Sequence, residues 1–165
     1  MSVNKFRPHV YLIPEDDADR QLAIGFLDHF AVDDRVVDIR DPAGGWIKVL
    51  EIFEDEYLKK LRGSDKAHLV MLIDFDDKDI ASRRAHFEER IPDDVKSRVF
   101  VIGAKVDPEA LQREFEMTRE RIGTALAEDC LKNDFELWRH AHLVHNSSEL
   151  ERMSKTVKPI LFQGK

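Results

Sequence analysis

The sequence has one cysteine, no excess of positive charge and no long apolar run. Cys130 alone among 165 residues excludes an internal disulfide and is typical of a reducing compartment. No apolar run approaches the ~18 residues of a membrane-spanning helix, and the first residues lack the apolar core of a signal peptide. We therefore expect a cytoplasmic protein that has no membrane partner.

The charge balance is acidic, with 26 basic and 33 acidic residues and a formal net charge of −7. A protein that grips nucleic acid by bulk electrostatics needs a basic surface, so this balance weighs against that mode of binding. Nucleic acid can still bind where divalent cations supply the positive charge.

Apolar runs of strand length alternate with helical patterns along the first two thirds of the chain. Strands are predicted over residues 9–14, 36–39, 68–75 and 99–102, and helices over about 18–30, 46–61 and 80–91. The βαβαβαβ order predicts an α/β fold, with a four-stranded parallel sheet flanked by helices on both faces.

The rest of the chain contains helical patterns only, with breaks near Asn133 and Asn146. We therefore expect an α/β core over residues 1–106 and a helical C-terminal extension over residues 107–165, packed on the same domain. Two roles stay open for this extension: covering a site on the core, or forming a surface for a second copy or a partner protein.

Acidic residues follow two of the predicted strands. Glu15 comes directly after the first strand, with Asp19 one helical turn later, and the third strand ends in Asp74 and Asp76, with Asp77 next. Ligands of parallel sheets gather at the carboxyl ends of the strands, so we expect Glu15, Asp74 and Asp76 to meet there. Like charges so close repel unless a cation is bound, and carboxylates suit Mg²⁺ or Mn²⁺.

Helix capping is the alternative role for some of these acids, and a glycine pair forms a second candidate site. Acids that follow strands also cap helices, which accounts for Asp16 or Asp17 and for Asp77 or Asp79, but not for Asp74 and Asp76, which still belong to the predicted strand. Gly44 and Gly45 precede a predicted helix, with Lys48 one turn further on, and glycines at a helix start let a phosphate approach main-chain N–H groups. The glycine pair is therefore a candidate phosphate-binding loop as well as a tight turn.

The arrangement of Glu15, Asp19 and the Asp74-Phe75-Asp76 motif resembles the Toprim domain of topoisomerases, bacterial primases and small nucleases. The resemblance covers about residues 8–104. It implies that Glu15 is the general acid/base, that Asp74 and Asp76 (with Glu15) bind Mg²⁺, and that Asp19 and Asp77 support them. The implied activity is a metal-dependent phosphodiesterase acting on nucleic acid, as a nuclease, with DNA and RNA both open.

Three alternatives remain. In a receiver-like phosphorylation module, Asp74 would be the phospho-acceptor. A haloacid-dehalogenase-type phosphatase also uses an Asp-x-Asp motif, although there it follows the first strand. A Toprim-like binding subunit without catalysis is the third, because Asp16 stands where many Toprim domains have glycine.

Overall fold

The computed structural model describes residues 2–163. The four strands are β1 (His9–Pro14), β2 (Val37–Ile39), β3 (Ala67–Leu72) and β4 (Val99–Ile102). All neighbouring pairs are parallel and the order across the sheet is β2-β1-β3-β4. The predicted α/β class with a four-stranded parallel sheet is therefore confirmed.

Helices account for most of the remaining chain. They are α1 (Asp17–Leu27), α2 (Trp46–Ile52), α3 (Leu58–Gly63), α4 (Ile80–Arg90), α5 (Pro108–Phe115), α6 (Arg119–Lys132), α7 (Ser147–Thr156) and α8 (Lys158–Leu161). A π-helical turn at Phe53–Tyr57 joins α2 to α3, so the chain stays helical where one helix was predicted. None of the helices between residues 2 and 163 combines the length and apolar character that crossing a membrane requires.

The sheet is covered on both faces because each central strand buries side chains in both directions. Tyr11, Ile13 and Met71 face a core formed with the helical segment 46–63 and with α4. Val10 and Val70 face the opposite core, to which Val157, between α7 and α8, and Ile160 of α8 contribute. Two-sided burial is what the continuous apolar runs of β1 and β3 require.

The C-terminal region is attached through a close crossing of α1 and α6. A β-carbon at Gly25 would lie 2.0 Å from the carbonyl oxygen of Glu120, and one at Gly123 would lie 2.1 Å from that of Leu22. Thr124 Oγ1 donates to the carbonyl oxygen of Gly25 at 2.8 Å. The two glycines let the helix backbones touch, and this contact fixes α1, which begins beside the first strand end.

The outer edge of β4 is occupied by side chains rather than by another strand. Glu149 accepts from the N–H of Val101 at 2.8 Å, and Asn146 accepts from the N–H of Gly103 at 3.1 Å. Arg84 donates to the carbonyl oxygen of Val101 at 2.7 Å. Because these groups satisfy the edge, this side of the sheet is not open to strand addition.

The end of β3 differs from the prediction. The strand was expected to run to Phe75, and it ends at Leu72. The main chain nevertheless keeps pairing, since Ile73 N–H donates to Ile102 and Phe75 N–H to Ala104 at 3.0 and 3.1 Å. Asp74 therefore lies after the strand, in a segment that hydrogen bonds to Ile102 and Ala104 hold in place.

Candidate metal centre

The pairing of β1 with β3 places Glu15 at the carboxyl ends of the two central strands. Its N–H donates to the carbonyl oxygen of Leu72 at 2.9 Å, which continues the ladder one residue past β1. Its side chain is buried, and Oε2 accepts from the N–H of Asp74 at 2.6 Å. Burial is the main cause that raises the pKa of Glu15 to about 7, and the N–H of Asp74 opposes it.

Asp19 is carried to the same place by the first turn of α1. The helix is capped by Asp16, whose Oδ1 accepts from the N–H of Asp19 at 2.9 Å. The Asp19 side chain is fully buried at 0 % exposure, and neither of its carboxylate oxygens accepts from a donor group within residues 2–163, although the carboxylates of Asp74 and Asp16 lie next to it. Burial, followed by the charge of Asp74, raises the pKa of Asp19 well above its usual range.

Asp74 completes the group from the β3 side. It is 4 % exposed, and its Oδ1 is buried without a hydrogen-bond partner in the described chain. Burial is the largest cause that raises the pKa of Asp74 to about 8. Glu15, Asp19 and Asp74 are called the acidic trio below.

The acidic trio can hold a divalent cation. One carboxylate oxygen from each residue lies within 4.8 Å of the other two, and no second group of this kind exists within residues 2–163. Three buried carboxylates so close must either take up protons or share a cation. The orphaned oxygens of Asp19 favour the cation, because a hard ion such as Mg²⁺ takes carboxylate oxygens as ligands.

Asp76 and Asp77 lie beside the trio without joining it. Both have left-handed backbones, with φ 54° at each, so the chain turns away directly after Phe75. The exposed carboxylate of Asp76 pairs with Arg83 at 2.9 Å, and that of Asp77 lies 3.9 Å from Lys105 Nζ. The structure thus brings together Glu15 and Asp74 as expected, with Asp19 rather than Asp76 as the third carboxylate.

The glycine pair packs directly against the end of β1. Gly44 and Gly45 have φ values of 95° and 147°, which residues other than glycine rarely adopt. The N–H of Gly44 donates to the carbonyl oxygen of Glu15 at 2.8 Å, so it holds the loop in place and is not free for a phosphate. The exposed Lys48 lies close by, and phosphate binding by Gly45 and Lys48 stays a prediction.

Arg83 is a residue of this site that the sequence did not reveal. It lies in the first turn of α4, and its Nη1 donates to the carbonyl oxygen of Asp74 at 2.8 Å as well as to Asp76. Its charge opposes the rise in the pKa of Glu15, so the guanidinium is within electrostatic reach of the trio. Two arginines stand next to each other in the sequence, and no pattern indicated which of them reaches the strand end.

Cys130 is unsuited to nucleophilic chemistry. Burial is the main cause that raises the pKa of this thiol to about 11, so it is protonated at neutral pH. The side chain of Cys130 is partly buried and packs against the core that contains Ile122 and Leu126 of α6.

Comparison of the chain with protein-family models, with curated proteins and with solved structures finds no match. The Toprim resemblance therefore stays an interpretation of the residues, and the class that fold and site define is an α/β protein with a buried acidic trio at its strand ends.

Proposed function

We propose that the protein is a Mg²⁺- or Mn²⁺-dependent phosphodiesterase that acts on nucleic acid, as a nuclease. The observation that carries the proposal is the buried, unpartnered carboxylate of Asp19 facing Asp74 and Glu15. Three carboxylates of this kind suit a cation that also contacts a phosphate oxygen. A cation bound there would neutralise charge on a phosphodiester and orient it for attack.

Glu15 is the residue suited to move a proton. Its Oε2 is fixed by the N–H of Asp74, whereas Oε1 accepts no hydrogen bond within residues 2–163 and could take a proton. A general base must be held within hydrogen-bonding distance of the proton that it takes, and this main-chain contact supplies the rigidity. Asp19 and Asp74, one helical turn and one strand away, would hold the cation.

The net charge of −7 fits a metal-dependent mode of binding. Without a cation, the acidic sheet edge repels a phosphate backbone, and with a cation it attracts one. We therefore expect substrate binding to require a divalent ion that takes carboxylate oxygens as ligands, such as Mg²⁺, Mn²⁺ or Ca²⁺.

The receiver-like alternative finds less support. Lys105, the lysine that follows β4, lies next to Asp77 rather than Asp74. Labelling of Asp74 by acetyl phosphate would nevertheless decide for that alternative.

The test is a cleavage assay with single- and double-stranded DNA and RNA in Mg²⁺, Mn²⁺ and Ca²⁺. We expect Mg²⁺- or Mn²⁺-dependent cleavage that is lost in Asp74→Asn and kept in Asp17→Asn, a matched loss of one exposed carboxylate from the same sheet edge. Cleavage that survives in Asp74→Asn would contradict the assignment. Intact substrates with every metal, together with binding of Mn²⁺, would identify a binding subunit without catalysis.

A further inference from the structure

Arg83 is held rigidly beside the acidic trio by three elements. Its Nη1 donates to the carbonyl oxygen of Asp74 and to Oδ2 of Asp76 at 2.8 and 2.9 Å. The guanidinium carbon lies 4.6 Å from the centre of the Trp46 ring, which follows the glycine pair. The arginine is thus fixed by the segment after β3, by the start of α2 and by the first turn of α4.

The remaining edge of the guanidinium is available to a ligand. Within residues 2–163, neither Nε nor Nη2 of Arg83 has a hydrogen-bond acceptor, and both belong to the side chain that is 12 % exposed. These two nitrogens form the parallel pair of donors that matches two oxygens of a phosphate. An arginine stacked on an aromatic ring loses little further freedom on binding, so the fork is preorganised.

Asp76 forms an ion pair with Arg83 and orients its guanidinium group. Its N–H is tied to the carbonyl oxygen of Val106 at 3.0 Å and its backbone is left-handed, which sets the direction of the side chain. The carboxylate then lies against Nη1 of Arg83, on the far edge from the free donors. The ion pair orients the guanidinium and leaves the donor pair Nε and Nη2 unused.

We propose that Arg83 binds a backbone phosphate of the nucleic-acid substrate and that Asp76 is its positioning residue rather than a ligand of the cation. This inference rests on the proposed function, since it places the phosphate next to the acidic trio. Asp19 and Asp74 would hold the cation. Arg83 would bind the phosphate, and Asp76 would orient Arg83.

The experiment measures two affinities on the same variants. Mn²⁺ binding is followed by electron paramagnetic resonance, and binding of a fluorescent single strand of about 12 nucleotides, as DNA and as RNA, is followed by anisotropy in Ca²⁺. The variants are Arg83→Gln, Arg83→Lys and Asp76→Asn. The matched controls are Arg62→Gln and Asp94→Asn, because Arg62 and Asp94 form an exposed ion pair at the opposite end of the strands, with Nε–Oδ2 at 2.9 Å.

For Arg83→Gln we expect oligonucleotide affinity to fall about tenfold or more, as for loss of a charged hydrogen bond, while Mn²⁺ affinity stays or rises because a positive charge is removed. Arg83→Lys should also bind the oligonucleotide weakly, since an ammonium lacks the fork, and this variant serves if Arg83→Gln does not fold. Asp76→Asn should lower the affinity for the oligonucleotide and leave the affinity for Mn²⁺ within about threefold of the wild-type value. Both control variants should match the wild type.

Unchanged oligonucleotide binding by both Arg83 variants would overturn the inference. So would an Asp76→Asn variant that loses Mn²⁺ as fully as Asp74→Asn, since Asp76 would then be a cation ligand. A wild-type protein that binds no Mn²⁺ would contradict the proposed function instead, and the effect of Arg83 on oligonucleotide binding could still be read from the same variants.

Discussion

The main-chain N–H of Asp74 donates to Oε2 of Glu15 at 2.6 Å, which joins the segment after β3 to the residue that follows β1. The bond fixes one carboxylate oxygen of Glu15 and the position of Asp74 together. It also separates two properties of Glu15, because a glutamine amide oxygen can accept the same N–H while losing the negative charge.

Glu15→Gln should therefore fold normally and lose activity. We expect cleavage to fall about 100-fold or more, as for removal of a general base, with an unfolding free energy in EDTA at least equal to that of the wild type. Single-turnover cleavage rates and urea denaturation measure the two quantities. A variant that cleaves within about threefold of the wild-type rate would show that Glu15 moves no proton in the reaction.

The metal-free protein should lose stability as the pH rises. Glu15 and Asp74 have pKa values raised to about 7 and about 8 in the folded state, against about 4 when unfolded. Between these values the folded state binds more protons than the unfolded state, so the free energy of unfolding falls with increasing pH. The slope is at most about 1.4 kcal/mol per pH unit for each excess proton.

Urea denaturation in EDTA between about pH 6.5 and 8 measures this slope. Working above pH 6.5 largely excludes His68 and His145, whose pKa values are lowered by burial and whose effect on stability has the opposite sign. Saturating Mg²⁺ should flatten or reverse the slope, since the cation replaces the protons. A stability that is equally independent of pH with and without Mg²⁺ would argue against close contact of the acidic trio.

Asp19→Asn should abolish the stabilisation of the protein by metal without lowering the stability of the metal-free protein. We expect the variant to be at least as stable as the wild type in EDTA at about pH 8, because one buried charge is gone, and to gain nothing from Mn²⁺. Asp17→Asn is the control, since Asp17 is exposed in the same helical turn and bonds only Gln21 among the described residues. Differential scanning fluorimetry with and without Mn²⁺ compares the two, and equal responses would remove Asp19 from the site.

Gly25→Ala should destabilise the fold without direct contact with the site. The new β-carbon would meet the backbone of Glu120 in α6, so α1 and α6 must separate, at a cost of about 2 kcal/mol or more. Gly63→Ala is the matched control, because nothing lies within 4 Å of a β-carbon there. Urea midpoints measure both, and a Gly25→Ala protein as stable as the control would mean that α1 and α6 do not touch as described.

The sequence predicted the sheet well because the strands are buried on both faces. β1 and β4 end at the predicted residues, since turn-forming or small residues follow each apolar run. The end of β3 was placed too late because Ile73 and Phe75 are apolar and fully buried. Apolar character alone does not distinguish a strand from an extended segment that continues its pairing.

The site could be predicted only in part. The meeting of Glu15 and Asp74 follows from parallel neighbours that end together, which strand order and polarity imply. The left-handed turn at Asp76 depends on hydrogen bonds to residues after β4, and no local pattern indicates it. Asp19 and Arg83 reach the site through the packing of α1 and α4, which helical periodicity does not specify.

A crystal structure of the protein soaked in Mn²⁺ tests the central claim most directly. We predict an anomalous peak within the acidic trio, held by carboxylate oxygens of Asp19 and Asp74 at about 2.0–2.3 Å, with Glu15 beside it, water filling the other positions and the ion pair of Arg83 and Asp76 intact. The same soak of Asp19→Asn should show no peak. A wild-type crystal without a peak at the trio, or with Mn²⁺ held by Asp76 and Asp77 alone, would contradict the account.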